Sequence, residues 1–309
     1  MSLERLVTAL SPSPLRRQET IAGWLMALPG VLLLCVFVAI PFLLAVGLSF
    51  TDLRLGAPTG PGFVGGEQYR DLLHDAAFRR AVLNTVLFAV VVVPVQTALA
   101  LFLALMLNTR MRGMSVYRSL FFMPVVFPMS LIAVVWELMY APGPNGMVNA
   151  FVQTLSLGYL GPYDYLHNPW LALPALIVLS VWQGLGFQMV VLLAGLQAIP
   201  EVLYECAALE TNRRWHTFRH ITLPQLRNPL IFTCLVTTIL AFRVFDQVQI
   251  LTQGQPNNAT TTIMYEAVRT AWNLSKVGQA SAMTVVFFLL VLGITAMQRF
   301  LFRQEREVQ

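Results

Sequence analysis

Charge is what this sequence has least of. Asp, Glu, Lys and Arg make up 11% of its 309 residues, against about a quarter in soluble globular domains. Hydrophobic residues reach 57% and the mean hydropathy is +0.66, so a soluble globular domain is excluded and the chain belongs in a bilayer. Cys35, Cys206 and Cys234 are too few and too dispersed for a disulfide framework. His74, His167, His216 and His220 all fall outside the apolar runs. There is no HExxH, no paired Cys, no GxSxG and no GxxxxGK[ST] phosphate loop. His216 and His220 have the i,i+4 spacing of a chelating pair, but no carboxylate or thiolate is placed to complete a metal site. No catalytic residue, no metal and no bound cofactor are therefore expected in this chain. Two glycosylation sequons, at Asn258 and Asn273, are short enough to occur by chance, and no repeat of about 20–50 residues is visible.

What is present is apolar length. A helix needs about 20 apolar residues to cross a bilayer, and six candidates run Ile21–Phe50, Ala81–Leu107, Leu120–Tyr140, Leu171–Leu196, Leu230–Leu251 and Ala280–Met297. Arg16 and Arg17 precede the first run as they would in a signal peptide. That run is far longer than the 7–15 residues of a signal core and has no small-residue cleavage site, so a retained helix is expected. The fold class is thus an all-α polytopic membrane protein with six transmembrane helices.

The basic residues orient these spans. Thirteen lie in the terminal segments and in the second and fourth loops, six in the first and fifth loops, none between Ala141 and Trp170, and Arg243 sits inside a span. Positive charge is retained in the cytoplasm, which puts both termini inside. The net charge of +5 is then a topology signal, and dispersed arginines at helix ends are not the clustered basic face of a nucleic-acid binder.

Several polar residues lie within the spans. Arg243 and Asp246, in AFRVFDQ, are three apart and on a continuous helix would share a face, as a mutual ion pair or as groups lining a wet cavity. At about 1.5 Å per residue, Arg243 lies about 20 Å from the cytoplasmic end, Asp246 about 24 Å, and Gln183 on the fourth span about 20 Å. Gln183 stands in SVWQGLGFQ, where Gly184 and Gly186 allow close backbone approach and Trp182 and Phe187 offer flat apolar faces. Glycine pairs in membrane helices are usually packing devices. Their coincidence with polar and aromatic groups at one depth suits a hydroxylated solute. Glu137 stands near the outer end of the third span and can snorkel outward.

The fourth loop is different in kind. Glu201–Glu210 is rich in Ala, Leu and Glu, and Arg213–His220 reads as a second short helix before Leu223-Pro224, with Thr211-Asn212 as the turn. Leu203, Ala207 and Glu210 track at helical spacing, as do Trp215, Phe218 and Ile221 or Thr222. A helix–turn–helix between two membrane spans is a docking surface for another chain. At Glu205-Cys-Ala-Ala and Phe218-Arg-His-Ile-Thr-Leu-Pro the sequence resembles the signature loop of permease subunits in bacterial ATP-binding-cassette importers. Further matching segments are Arg118-Ser-Leu-Phe-Phe-Met-Pro, Gly195-Leu-Gln-Ala-Ile-Pro-Glu-Val-Leu-Tyr-Glu and Phe245-Asp-Gln-Val-Gln-Ile-Leu-Thr-Gln-Gly-Gln-Pro. They are similar to the sugar branch, specifically the first permease of maltose- and glycerol-3-phosphate-type systems, over nearly all of residues 20–302.

The resemblance implies a type I importer permease: residues 1–20 a cytoplasmic tail, 21–302 the permease domain with its coupling loop at 200–224, and 303–309 a second tail. It implies a bacterial inner-membrane location, a second homologous permease, two copies of an ATPase that uses ATP and Mg, and an extracytoplasmic solute-binding protein. No nucleic acid is implied. The ATPase would meet Glu205, Ala207, Ala208, Glu210, Thr211, Asn212, Trp215 and Phe218, and substrate would meet Ser180, Gln183, Gly184, Phe187, Phe242, Arg243 and Asp246. Thr211 stands where the family usually has Gly and resists positive φ, so Asn212 takes the turn. Glu210 replaces the usual Asp, and Cys206 the first Ala of the motif. The solute implied is a mono-, di- or oligosaccharide if Asp246 neutralises Arg243, and an anion such as glycerol 3-phosphate or a phosphodiester if it does not. A secondary transporter or channel would instead show hydropathy repeats and midspan ion-coupling carboxylates. Only Asp246 and Glu137 approach these.

Overall fold

The computed structural model describes residues 14–303 except 59, 110–111, 145 and 211–212. The described residues form helices joined by loops, with only two isolated β-bridges, Thr51↔Phe63 and Arg54↔Lys276. Helix α1 runs Pro14–Leu34, passes through a π turn at Cys35–Ala39 and continues as Ile40–Leu48. The π turn sits just before Pro41, which has no N–H to donate and whose ring crowds the preceding turn. None of the apolar stretch of α1 is buried. Only its last part packs on the chain, with Phe42 and Phe288 ring centroids 4.4 Å apart.

Helix α2 (Glu67–His74) lies outside the spans and leads into α3 (Ala76–Leu107), capped by Asp75, whose side chain accepts from the Ala77 N–H at 2.8 Å. Helix α3 packs along α7 (Ala172–Gln197). Phe88, Val92, Gln96, Ala100 and Ala104 recur every four residues on its buried stripe, and the two alanines let the backbones approach against Met189 and Leu192.

The third and fifth spans are not single helices. Residues expected to run Leu120–Tyr140 form α4 (Met114–Val126) and α5 (Met129–Met139), bent by 99°. Pro128 explains the break, because a residue before proline is driven out of the helical region and Phe127 is extended at ψ 140. A short amphipathic helix, α6 (Met147–Leu155), connects α5 to α7. Beyond α7 come α8 (Glu201–Glu210) and α9 (Arg214–Gln225), the latter turning by 65° into α10 (Arg227–Phe242).

Helix α10 stops at Phe242, nine residues short of the expected Leu251, with Arg243 as its C-cap at φ −83, ψ 14. Val244 and Phe245 are not helical, and a π turn follows at Val248–Thr252. Arg243 and Asp246 therefore do not share a helix face. In a continued helix the Val244 carbonyl would accept from Val248. Here it accepts from the Thr262 hydroxyl at 3.0 Å. The loop that supplies Thr262 is buried and polar. Asn84 on α3 donates to the carbonyls of Asn258 (2.9 Å) and Thr261 (3.0 Å), the Thr260 hydroxyl donates to Thr252 at 2.8 Å, and Thr85 accepts from the Ile263 N–H at 3.0 Å. Helices α11 (Ile263–Trp272) and α12 (Val277–Arg303) complete the chain, with Ile263, Ala282 and Met283 packed on Leu72 and Phe78.

Thr262→Val removes the only donor to the Val244 carbonyl among the described residues. A buried carbonyl left unmet costs about 1–3 kcal/mol, so the thermal midpoint of the purified protein should fall clearly in Thr262→Val and stay near the parent in Thr262→Ser. Equal midpoints for all three would show that the hydroxyl does not hold the break.

Candidate functional site

The break in the fifth span opens a cavity of about 510 Å³, walled by α3, the α4/α5 junction, α7, α10 and the segment after α10. Arg243 and Asp246 both face it and both are exposed. Neither side chain has a hydrogen bond or an ion pair among the described residues, so the expected choice between a neutralising pair and a free guanidinium falls on the unpaired side. Ser180, Gln183, Gly184 and Phe187 line the same space. Phe242 does not. It is 2% exposed and packed in the core with Leu176 and Leu179, because it stands on the side of α10 that faces α7 rather than the cavity.

Four further polar residues join the lining: Gln96, Gln188, Thr237 and Gln247. Gln247 donates to the Ser180 hydroxyl, which donates in turn to the Leu176 carbonyl at 2.8 Å. Gln188 donates to Thr237, whose hydroxyl reaches the Thr233 carbonyl at 2.7 Å. The Gln188 carbonyl oxygen is buried without a partner. Gln96 reaches in from α3 against Gly184, where a Cβ would collide with its amide. The sequence did carry a signal for Gln96, an amide two residues after Pro94 inside an apolar run. Gln188 and Gln247 carry no comparable signal, each standing beside a more conspicuous polar group, Gln183 and Asp246. Unspent amide donors and acceptors, a guanidinium, a carboxylate and the partly buried rings of Phe187 and Phe245 suit a polyhydroxylated solute.

The second surface is at the α8–α9 end of the molecule. Glu201–Glu210 is helical as expected, but the second helix runs on to Gln225 rather than ending at His220. Pro224 lies inside this helix just after a π turn at Phe218–Thr222, which accommodates its ring and its missing N–H. Tyr204 and Thr222 hydroxyls lie 3.2 Å apart and join the two helices. Glu205, Ala208, Glu210 and Trp215 are exposed, whereas Ala207 is buried and Phe218 partly so, its ring 5.5 Å from Trp215. Ala207 and Phe218 thus support the surface from beneath. Leu209, which the sequence reading passed over, is 89% exposed. Thr211 and Asn212 lie outside the described residues.

The model of a family described as "binding-protein-dependent transport system inner membrane component" matches residues 77–307. The trehalose/maltose transport system permease protein of Thermococcus litoralis is 36% identical, covering 92% of this chain and 94% of that protein. The lactose transport system permease protein of Rhizobium radiobacter is 31% identical over 96% of this chain and 99% of its own length. A solved chain of a bacterial alginate transporter, in complex with an alginate-pentasaccharide-bound periplasmic protein, superposes with a TM-score of 0.80 at 20% identity, covering 94% of this chain and 96% of that one.

Two glycines beside the cavity separate packing from lining. A Cβ on Gly186 would meet the Phe121 carbonyl and the Phe122 Cα, which cannot swing aside, whereas one on Gly184 meets only the Gln96 side-chain end. Gly186→Ala should lower the thermal midpoint by the equivalent of about 1–3 kcal/mol, and Gly184→Ala by much less. Similar losses in both would contradict this account of the α4–α7 contact.

Proposed function

The chain belongs to the family of binding-protein-dependent transport system inner membrane components, and from that membership we propose that it is one permease subunit of an ATP-driven sugar importer. It takes a mono-, di- or oligosaccharide from an extracytoplasmic binding protein. It pairs with a second homologous permease and with two ATPase copies that use ATP and Mg, while itself contributing no catalytic group. The description of the family sets aside a carrier or channel acting alone. In this reading both termini and the α8–α9 loop are cytoplasmic, as the arginine distribution favours.

The observation that carries the proposal is the cavity itself. Amides from α3, α7 and the broken span converge there with Arg243 and Asp246, which do not pair with each other, so each keeps its hydrogen-bonding capacity for a solute. A neutral sugar satisfies such a lining by hydrogen bonds alone. Relatives named for trehalose/maltose and lactose support the same class. A second reading, glycerol 3-phosphate or a related phosphodiester, rests on the guanidinium that Asp246 does not neutralise.

Transport follows from differential binding. ATP-driven closure of the ATPase pair would move Glu205, Glu210 and Trp215, and the cavity would change the side on which it opens. A ligand shifts such an equilibrium only through unequal affinity for the two states. Arg243→Ala removes charge-assisted hydrogen bonds worth about 1.5–3 kcal/mol each, so half-maximal uptake should need about 10–100-fold more sugar with assembly intact. Glu205→Ala should leave that concentration unchanged while weakening ATPase association or uncoupling hydrolysis. Normal uptake by Arg243→Ala in membrane vesicles would remove the cavity from the transport path.

A further inference from the structure

Between the ends of α5 and α7 lies a helix that is inside out by the standards of a soluble domain. The side of α6 turned toward the chain carries a wholly buried Asn149, whose amide donates to the Tyr163 carbonyl at 2.8 Å and accepts from the Tyr163 N–H at 2.9 Å. The same amide reaches the Ala141 carbonyl at 3.4 Å. The helix is thereby clamped to both strands of its loop, and its orientation is settled. The side turned outward carries Met147, Ala150, Phe151, Thr154 and Leu155, which recur at three- and four-residue steps along one face. Phe151 is 64% and Leu155 70% exposed. In water such a face would be inverted.

Its position says what covers it. Seven residues separate helix α6 from the C-terminal end of α5 and sixteen separate it from the N-terminal end of α7. Those two ends are on the same side of the bundle, where the Tyr140 hydroxyl donates to the Ala175 carbonyl at 3.0 Å, so α6 sits at the level where spans leave the hydrocarbon. Its apolar face continues that of α5, where Leu131, Val134, Val135 and Leu138 are exposed. Trp170, 86% exposed and two residues before α7, and the exposed rings of Tyr159 and Tyr163 mark the headgroup level. Residues 141–170 hold a single carboxylate, Asp164, bonded to His167 at 3.0 Å, and no Lys or Arg. A docking surface for a soluble protein would carry a polar, solvent-accessible rim, and Asp164 is the only charged side chain this segment could offer one.

We infer that α6 is an interfacial helix, lying in the plane of the membrane with Met147, Phe151 and Leu155 among the acyl chains of the leaflet at this end of the bundle. The lipid surface is its partner. It anchors the outer end of the broken third span, the element that forms one wall of the cavity, so that α4 and α5 flex at Phe127-Pro128 rather than move together. The inference needs only that the chain spans a membrane and stands whether or not sugar is the solute.

The test is photocrosslinking of the full transporter in lipid bilayers, with benzoylphenylalanine in place of Phe151, of Leu138 as a lipid-facing reference, or of Leu209 as a reference on the α8–α9 surface. Mass spectrometry of the irradiated chain should show phospholipid adducts at Phe151 at a yield comparable to Leu138 and at least several-fold above Leu209. Adducts joining Phe151 to the binding protein or to another permease chain, or a Phe151 yield no higher than that of Leu209, would overturn the assignment.

Discussion

The hydrogen bond from the Thr262 hydroxyl to the Val244 carbonyl, at 3.0 Å, is the contact on which the working part of this molecule depends. Backbone inside a bilayer must find its partners within the protein, since no water is there to supply them. A span that stops at Phe242 exposes carbonyls and N–H groups that a complete helix would have satisfied. The buried Thr262 meets that demand at Val244, while Thr260, Thr261 and Asn84 hold the loop that presents it. Only then can Arg243 and Asp246 leave the helix and face a common cavity.

The same arrangement connects the two candidate surfaces mechanically. Helix α10 has 16 residues and so a length of about 24 Å. At one end the buried Leu226 packs in the cluster with Leu196 and Ile199, and Pro229 lies close enough to Gly195 that any side chain there would collide. At the other end is Arg243. The α8–α9 surface and the cavity wall are therefore at opposite ends of one helix with a bend at each end, and in the proposed transporter a displacement of α8 and α9 would be carried to the cavity without a relay of separate contacts. Coupling that runs through a discrete element of this kind has a physical basis beyond mere proximity.

Much of this was readable in the chain itself. Hydropathy found the six apolar segments, and the loop pattern found α8 to the residue, because apolar length and helix propensity are local properties. The breaks were missed for two different reasons. Pro124 and Pro128 were visible in the third span, but a hydropathy window sums composition and is blind to direction. In the fifth span no proline stands near Arg243, and the helix ends because of hydrogen bonds from Asn84 and Thr262, far away in sequence. Phe242 was misplaced for another reason: the family resemblance carries over a position on the span and not the side of the helix that faces Leu176 and Leu179. Gln183 and Arg243 at a common depth survived the error because depth depends on rise along the helix and hardly on where it ends.

The measurement that bears most directly on this account is ATP hydrolysis by the purified transporter in lipid, with its binding protein, across mono- and disaccharides and glycerol phosphates. The account predicts an ATPase that copurifies with this chain and is stimulated by the binding protein loaded with one neutral sugar. A chain that purifies alone and moves solute without ATP, or a rate that answers only to phosphate esters, would contradict it.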